Sequence, residues 1–459
     1  MQSTHWQISR RSKEGSVSMN GRKEKTNFLQ TLWKSPGRVK ASIPVMGLGQ
    51  LLQGQIIKGL LYLAVLMGFI WYLTAGGVAD VIGFFTLGTT EGDAWLGIEG
   101  DDSVMMLLRG ILAFIVIILF VCIYVMNLKD AVASEEKIRR KEKLPGFFQS
   151  VISFTDKKFH VVALALPVVG VAVFNVLPIV FMILIAFTNY GGDIVPPKLI
   201  DWVGLDNFKK ILILGELKDT FFRILSWNLV WAVCATALNY FGGLGLALLL
   251  NKKCVKGKTF WRAFPILAYA LPGFITLLAF KFMFSYGGPI NYYITAGGGQ
   301  AIGFLDIDAG LKAKLIGLLV NAWISIPSSM LLTTGILSNM NTDLYEAASI
   351  DGASRWKQFV KITLPFVVFS TTPVLITSFV GNFNNFGIFY FLRGGLYCDG
   401  YFLASDTDLL INWLYNLSID NNYYGIGAAI SLLIFVITSA ISLTTYVRSA
   451  SFKKEDTFR

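Results

Sequence analysis

The sequence predicts an all-α, polytopic membrane protein with about eight transmembrane helices. Three observations carry that expectation. Hydrophobic residues make up 54% of the chain and charged residues only 15%, where soluble domains carry about 25% charged. The mean hydropathy is +0.58. Apolar stretches of roughly 20 residues, enough to cross a hydrocarbon core about 30 Å thick, recur along the chain.

The stretches fall at about residues 56–75, 104–127, 161–188, 224–250, 260–284, 313–338, 359–380 and 425–447. Gln50, Gln53, Gln55 and Lys58 crowd the start of the first, where the lysine can snorkel to the interface. Charge orients the set. Arg10, Arg11, Lys13, Arg22, Lys23, Lys25, Lys34, Arg38 and Lys40 stand in the N-terminal tail against two glutamates. Asp80, Glu91, Asp93, Glu99, Asp101 and Asp102 follow the first span without a Lys or Arg. Lys129, Lys137, Arg139, Arg140, Lys141 and Lys143 follow the second, and Lys252, Lys253, Lys256 and Lys258 the fourth. Arg355, Lys357 and Lys361 follow the sixth, and Arg448, Lys453, Lys454 and Arg459 end the chain. Basic loops collect in the cytoplasm, so both termini are expected there. The net charge of +11 is explained in the same way, and no folded basic module points to nucleic acid.

About forty polar, basic residues precede any apolar run, which is not the pattern of a cleavable signal peptide. This tail, residues 1–43, is expected to be disordered or to lie on the anionic membrane surface. Residues 44–160 form an N-terminal helical pair with a cytoplasmic linker. In that linker Phe147, Phe148, Val151 and Phe154 suggest an interfacial amphipathic helix, with a solvated linker as the alternative. Residues 161–447 form the main transmembrane domain, and 448–459 a short cytoplasmic tail. The cysteines (Cys122, Cys234, Cys254 and Cys398) have no metal-like spacing, and His5 and His160 make no catalytic constellation.

Ionisable residues inside the spans sit near their ends, at Arg109, Lys281, Lys314 and Lys361, with no mid-span carboxylate of the kind ion-coupled carriers use. Neutral polar groups do lie within: Asn175, Asn228, Asn239, Tyr269, Asn321, Ser325, Ser328, Thr333, Asn382, Asn384 and Asn385. Such residues can simply hydrogen-bond between helices. Pro167, Pro178, Pro265, Pro272, Pro327 and Pro373 are expected to break spans and free backbone groups to line a cavity. Uncharged donors and acceptors beside aromatic rings suit an uncharged, hydroxyl-rich solute.

Between the sixth and seventh spans, residues 343–365 read DLYEAASIDGASRWKQFVKITLP. Asp343 and Glu346 have the spacing of an N-terminal capping box. Leu344, Ala347 and Ala348 share one helical face. Gly352 allows a turn that a Cβ would resist, and a second helical stretch, Ser354 to Ile362, leads back to the membrane at Pro365. A helix–turn–helix with small residues on one face suits insertion into a partner's groove.

This segment resembles the EAA loop of permease subunits in binding-protein-dependent ABC importers. Glu-Ala-Ala, Asp-Gly-Ala and then Phe, Ile and Pro match in order. The resemblance implies a type I (MetI-like) permease fold. It also implies a coupling helix in which Glu346, Ala347, Ala348, Asp351 and Gly352 meet an ATPase subunit. From about residue 160 onward the chain is similar to the maltose and maltodextrin branch of that family, through Ile266–Pro272, Asn321-Ala322-Trp323, Asn382–Phe386 and Thr407–Leu410. That likeness implies a mid-membrane sugar pocket at Tyr269, Gly273, Asn321, Ser325, Ser328, Gly381 and Asn385. Gly273, Ser328 and Gly381 stand where the branch has serine, tyrosine and phenylalanine, which would widen the pocket for a longer oligosaccharide or another α-glucoside. The loop from Asn189 to Arg223 is short where enterobacterial relatives carry a folded domain, so contact with a solute-binding protein would be made differently.

The implied partners are a second, similar permease subunit, a pair of ATPase subunits, an extracytoplasmic solute-binding protein, membrane lipid and the sugar. No cofactor is expected in this chain, ATP and Mg being held by the ATPase. Gly257-Lys258-Thr259 is not a P-loop, because Lys252 occupies the position of the required first glycine. A secondary carrier would leave the coupling loop without a purpose. A scaffold without transport would be excluded by sugar-dependent ATP hydrolysis in a reconstituted complex.

Overall fold

The structure, a computed structural model, describes residues 28–449 other than 93, 94, 145, 147, 148, 150, 151, 153–155, 157, 158, 197 and 253. The N-terminal tail up to residue 27, the end of the C-terminal tail, and Phe147, Phe148, Val151 and Phe154 of the expected amphipathic helix lie outside the described residues. Three short helices come first: α1 (Phe28–Lys34), α2 (Gly37–Lys40) and α3 (Leu48–Leu52). Then follow α4 (Ile56–Thr86), α5 (Ser103–Arg139), α6 (Phe159–Ile185), α7 (Asp206–Leu212) and α8 (Gly215–Asn251). The remainder are α9 (Lys258–Ala270), α10 (Gly273–Met283), α11 (Pro289–Ala296), α12 (Gly310–Ser338), α13 (Asp343–Ile350), α14 (Arg355–Gln358), α15 (Leu364–Phe383), α16 (Phe386–Arg393), α17 (Leu410–Tyr415) and α18 (Tyr424–Arg448). Among the described residues there is no strand, only two isolated bridges, Thr188 with Trp202 and Gly191 with Ile194.

Among the described residues seven helices are long and apolar enough to cross a membrane, and α9 with α10, taken as one span, makes an eighth. That pair is the fifth span, broken at Pro272 as the sequence predicts, and its halves meet at 91°. Leu271 is extended (ψ 139°) before Pro272, as the proline ring demands of its predecessor. The other prolines do not break their helices. Pro167, Pro265, Pro327 and Pro373 sit inside continuous helix. Pro178 and Pro365 follow widened π turns at Ala172–Val176 and Phe359–Thr363, which absorb the missing N–H donor. The first span is also longer than expected. Helix α4 runs through a π turn at Leu73–Gly77 to Thr86, so Asp80 is helical and not part of a loop.

The chain divides into two compact units. One holds the described residues of Met1–Phe84 and Arg109–Gly170, the other those of Phe85–Leu108 and Val171–Arg459. In the first, the glutamines that crowd the start of α4 belong to α3 and the turn after it. Gln50 Nε2 donates to the Asn127 carbonyl (2.9 Å) and Gln53 Nε2 to that of Ala131 (3.0 Å). Arg38 pairs with Glu135 at 2.9 Å, and Lys58 lies 3.7 Å from Asp130. The basic run from Lys129 to Arg139 continues α5 as helix.

In the second unit, α8 packs along α12 and α15. Gly243 makes the approach possible, because a Cβ there would stand 2.4 Å from that of Ser329. Small residues are what let helices close on each other where lipid supplies no hydrophobic drive. Trp231 and Phe389, both fully buried, meet edge to face at 4.9 Å, within a cluster that includes Leu277, Val320 and Leu392. Asn228 has a structural role. Its Nδ2 donates to the Phe383 carbonyl (3.0 Å) and its Oδ1 accepts from Leu410 N–H (2.7 Å), satisfying the last turn of α15 and the first of α17. Trp231 Nε1 likewise donates to the Asn382 carbonyl at 3.0 Å.

The segment between α16 and α17 is held by two buried charges. Arg393 is 1% exposed and uses all five of its N–H groups. It donates to Leu305, Asp306 and Ile307 carbonyls, to Asp406 Oδ1 at 2.7 Å and to Thr407 Oγ1 at 3.1 Å. Asp408 is also buried, and its Oδ2 accepts from Ser405 N–H (2.9 Å) and Asn416 Nδ2 (3.0 Å). Burial raises its carboxyl to about 7 despite those bonds and the Arg393 charge. A raised acid binds its proton more tightly folded than unfolded. Its stability contribution is therefore full at acid pH and is lost as pH rises from about 4 through 7, at about 1.4 kcal/mol per unit. Asp408→Asn keeps an acceptor and removes the titration. The variant is expected to flatten the melting temperature of the purified complex between pH 5 and 8 and to match or exceed the parent at pH 8. A retained slope would refute the assignment.

Candidate functional site

Polar side chains from α8, α12 and α15 converge on a cavity of about 290 Å³. Thr236, Asn239 and Tyr240 come from one turn of α8, and Ser325, Ser328 and Ser329 from one turn of α12. Thr371, Ser378, Gly381 and Asn382 come from α15, with Asn385 at its end. No charged residue lines the cavity, and its apolar members, Leu332, Val374 and Leu375, are aliphatic.

A relay of amides organises one end. Asn385 Nδ2 donates to Asn321 Oδ1 (3.2 Å), Asn321 Nδ2 to Asn382 Oδ1 (3.4 Å), and Asn382 Nδ2 to Thr236 Oγ1 (3.0 Å). Asn385 also caps α16, its side chain accepting from Ile388 N–H. Each relay amide is thus fixed by another, which holds the cavity wall in one arrangement. At the other end the Tyr240 hydroxyl lies 2.9 Å from Thr371 Oγ1.

Of the residues expected from sequence, Ser325, Ser328, Gly381 and Asn385 line the cavity and Asn321 stands behind Asn385. Tyr269 and Gly273 flank the break between α9 and α10 and are not among the lining residues; Tyr269 is 54% exposed. A Cβ on Gly381 or Gly273 would meet no atom within 4 Å. Sequence reasoning missed the whole α8 contribution as a site. The signal was there, in Thr236, Asn239 and Tyr240 at i, i+3 and i+4 of an otherwise apolar span.

The second candidate is the hairpin α13–α14. The expected capping box is not formed: α13 starts at Asp343 with Thr342 in the cap position, and Asn341 Oδ1 accepts the Asp343 N–H at 2.9 Å. Asn341, two residues before Asp343, takes that orphan donor, and Glu346 is left exposed. The helix ends in a Schellman motif, with Ala353 N–H to Ala348 O (2.9 Å), Gly352 N–H to Ser349 O (3.1 Å), and Gly352 at φ +71°. Ser354 caps α14, and Gln358 Nε2 ties back to Ser349 Oγ at 3.0 Å. Tyr345 anchors the hairpin through Thr363 at 2.8 Å. Glu346, Ala347, Asp351 and Gly352 are exposed and Ala348 is half-buried. Leu344, Ile350 and Trp356 are 51%, 86% and 73% exposed.

An uncharged cavity lined by three membrane-spanning helices, with an exposed hairpin between two of the spans, is the architecture of a membrane permease. Residues 239–450 match the family described as the binding-protein-dependent transport system inner membrane component, and the chain belongs to that family. It is 35% identical over 428 residues to the galactooligosaccharides transport system permease protein GanP of Bacillus subtilis (strain 168), covering 90% of this chain and 97% of that protein. To the maltodextrin transport system permease protein MdxF of the same organism it is 32% identical over 440 residues, covering 94% and 99%. The maltose/maltodextrin permease MalF of Vibrio vulnificus (strain YJ016) is 34% identical over 261 residues, which is 56% of this chain and 50% of that protein. A bacterial ABC transporter that imports the acidic polysaccharide alginate shares the fold, with a TM-score of 0.53 at 21% identity over 65% of this chain and 97% of that one. The type I ABC importer permease fold expected from the resemblance is the fold observed, in a multi-span protein of the cytoplasmic membrane.

Proposed function

We propose that the chain is the permease subunit of an ATP-driven oligosaccharide importer, with maltose and maltodextrin as its substrates. The observation that carries this reading is the cavity, lined by hydroxyls and carboxamides without a charge. Such a lining matches the hydroxyl-rich, neutral surface of a sugar and gives an ionic solute no counter-charge. The maltodextrin name of MdxF supports the glucose-based substrate. GanP supports a second reading, galactooligosaccharides, from the same cavity. The chain pairs with a second permease subunit, receives sugar from a solute-binding protein, and offers Glu346, Ala347, Ala348, Asp351 and Gly352 to an ATPase pair that holds ATP and Mg. Both termini lie in the cytoplasm, as the basic loops indicate. Closure of the ATPases then drives alternating access through the hairpins.

The test is ATP hydrolysis by the complex purified with its native partners and loaded binding protein, across malto- and galactooligosaccharides. Stimulation by maltose or maltotriose supports the maltodextrin reading, and stimulation by galactooligosaccharides alone moves the substrate to the second. A co-purifying ATPase that no sugar stimulates refutes both. Within the cavity, Asn385→Ala removes the relay and the cap of α16. Sugar-stimulated hydrolysis is expected to fall about tenfold, as for one charge-free hydrogen-bonding position plus a cap. Asn385→Ser, which can still cap but cannot reach Asn321, separates the two effects. An unchanged sugar response in both variants would remove Asn385 from the site.

A further inference from the structure

We infer that the first compact unit binds the phosphodiester headgroup of an anionic membrane lipid at the start of α4. The site is a cavity of about 410 Å³ lined by residues 54–58 and by Leu144 and Gly146 of the linker after α5. Helix α4 begins there without a side-chain cap. Its first backbone bond runs from Gly59 N–H to Gln55 O at 3.0 Å, and the N–H groups of Ile56, Ile57 and Lys58 have no acceptor among the described residues. Such a helix start carries about half a positive charge and turns its amides toward an anion.

Gln55 gives independent evidence of a ligand. It is 8% exposed and lines the cavity, yet its Nε2 is buried without a hydrogen-bond partner among the described residues. Its Oε1 accepts from Ser134 Oγ at 3.3 Å, which fixes the carboxamide with the donor end free. A buried donor left unpaired costs stability, so one kept on a cavity wall calls for an acceptor from outside the chain. Lys58 adds a full charge to the same wall. Its Nζ lies 3.7 Å from Asp130 Oδ1, too far for that pair to use its N–H groups.

Two observations select the kind of phosphate. Asp130 offsets part of the lysine charge, so the site suits the single charge of a diester better than the nearly double charge of a phosphate monoester. Helix α4 is also a membrane span, and its first turns leave Ile56, Ile57, Leu60 and Leu61 exposed. Acyl chains can lie on that apolar surface while the phosphate occupies the cavity, whereas a water-soluble ester leaves it uncovered. The lipid then supplies the cap that the chain itself does not.

The experiment labels the complete complex, purified in detergent and stripped of lipid, with phosphatidylglycerol carrying a photoactivatable headgroup. Mass spectrometry then locates the labelled peptide. Label is expected in the peptide that holds residues 54–58, competed by unlabelled phosphatidylglycerol and not by diacylglycerol or by glycerophosphoglycerol, the deacylated headgroup. Gln55→Glu is isosteric, keeps the acceptor for Ser134 and sets a carboxylate against the phosphate. It should lower labelling of that peptide at least tenfold. Lys58→Met keeps the stem, removes the charge and should lower it about tenfold, the worth of one charge-assisted hydrogen bond. It decides the matter if the first variant fails to assemble. No label in that peptide, competition by diacylglycerol as strong as by the lipid, or unchanged labelling in the assembled variants would overturn the site. Equal competition by glycerophosphoglycerol would keep a phosphate site and overturn its assignment to a lipid.

Discussion

Glu346→Lys is expected to cut ATP-driven uptake at least tenfold while leaving the chain in the membrane at its normal level. The side chain is exposed in the first turn of α13, where a carboxylate favours the helix N-terminus. Reversing that charge costs the helix at most about 1 kcal/mol, too little to unfold a hairpin held by a Schellman turn and by Tyr345. A like charge set against a complementary partner costs several kcal/mol. The loss should therefore appear in coupling and not in assembly. Uptake and membrane abundance measured on the same cells check it, and wild-type uptake would sink the role proposed for the loop.

Arg393→Met is expected to have the largest effect on stability. It strands Asp406 and three backbone carbonyls that the guanidinium satisfies together. Breaking a buried charge pair from one side costs about 3–5 kcal/mol, a large share of the stability of a domain. The purified complex should melt many degrees lower or fail to accumulate. Adding Asp406→Leu removes the stranded carboxylate and should recover part of the loss. A single variant with an unchanged melting temperature would show that the five bonds are dispensable.

Sequence reasoning reached the spans and the hairpin because each carries a local signal. Hydropathy marks the spans, and Gly352 announces its left-handed turn by being glycine. It read the six prolines alike, although only Pro272 bends its span sharply. The others sit where a π turn or the surrounding packing keeps the helix intact, and neither is written next to the proline. Asp80 was misplaced because its charge outweighed the apolar run around it. The cavity was half legible. Ser325, Ser328, Gly381 and Asn385 lie close to one another in just two segments. Asn239 and Tyr240 join them only once α8 is known to lie against α12 and α15, a pairing across more than eighty residues that single-helix periodicity does not encode.

One further consequence follows from the uninterrupted run of helix between the hairpin and the cavity. From Arg355 through the π turn to Phe383 there is no hinge residue, and the end nearer Arg355 is bound to α13 through Gln358 and Ser349. At 1.5 Å per residue this rod is roughly 43 Å long. A tilt of one degree at the hairpin displaces Asn382 by roughly 0.7 Å on that lever arm, and Asn382 carries the relay that fixes Asn321 and Asn385. A few degrees of rocking would thus exceed the tolerance of those hydrogen bonds. The amide relay is therefore the part of the cavity wall most sensitive to any tilt carried along this helix.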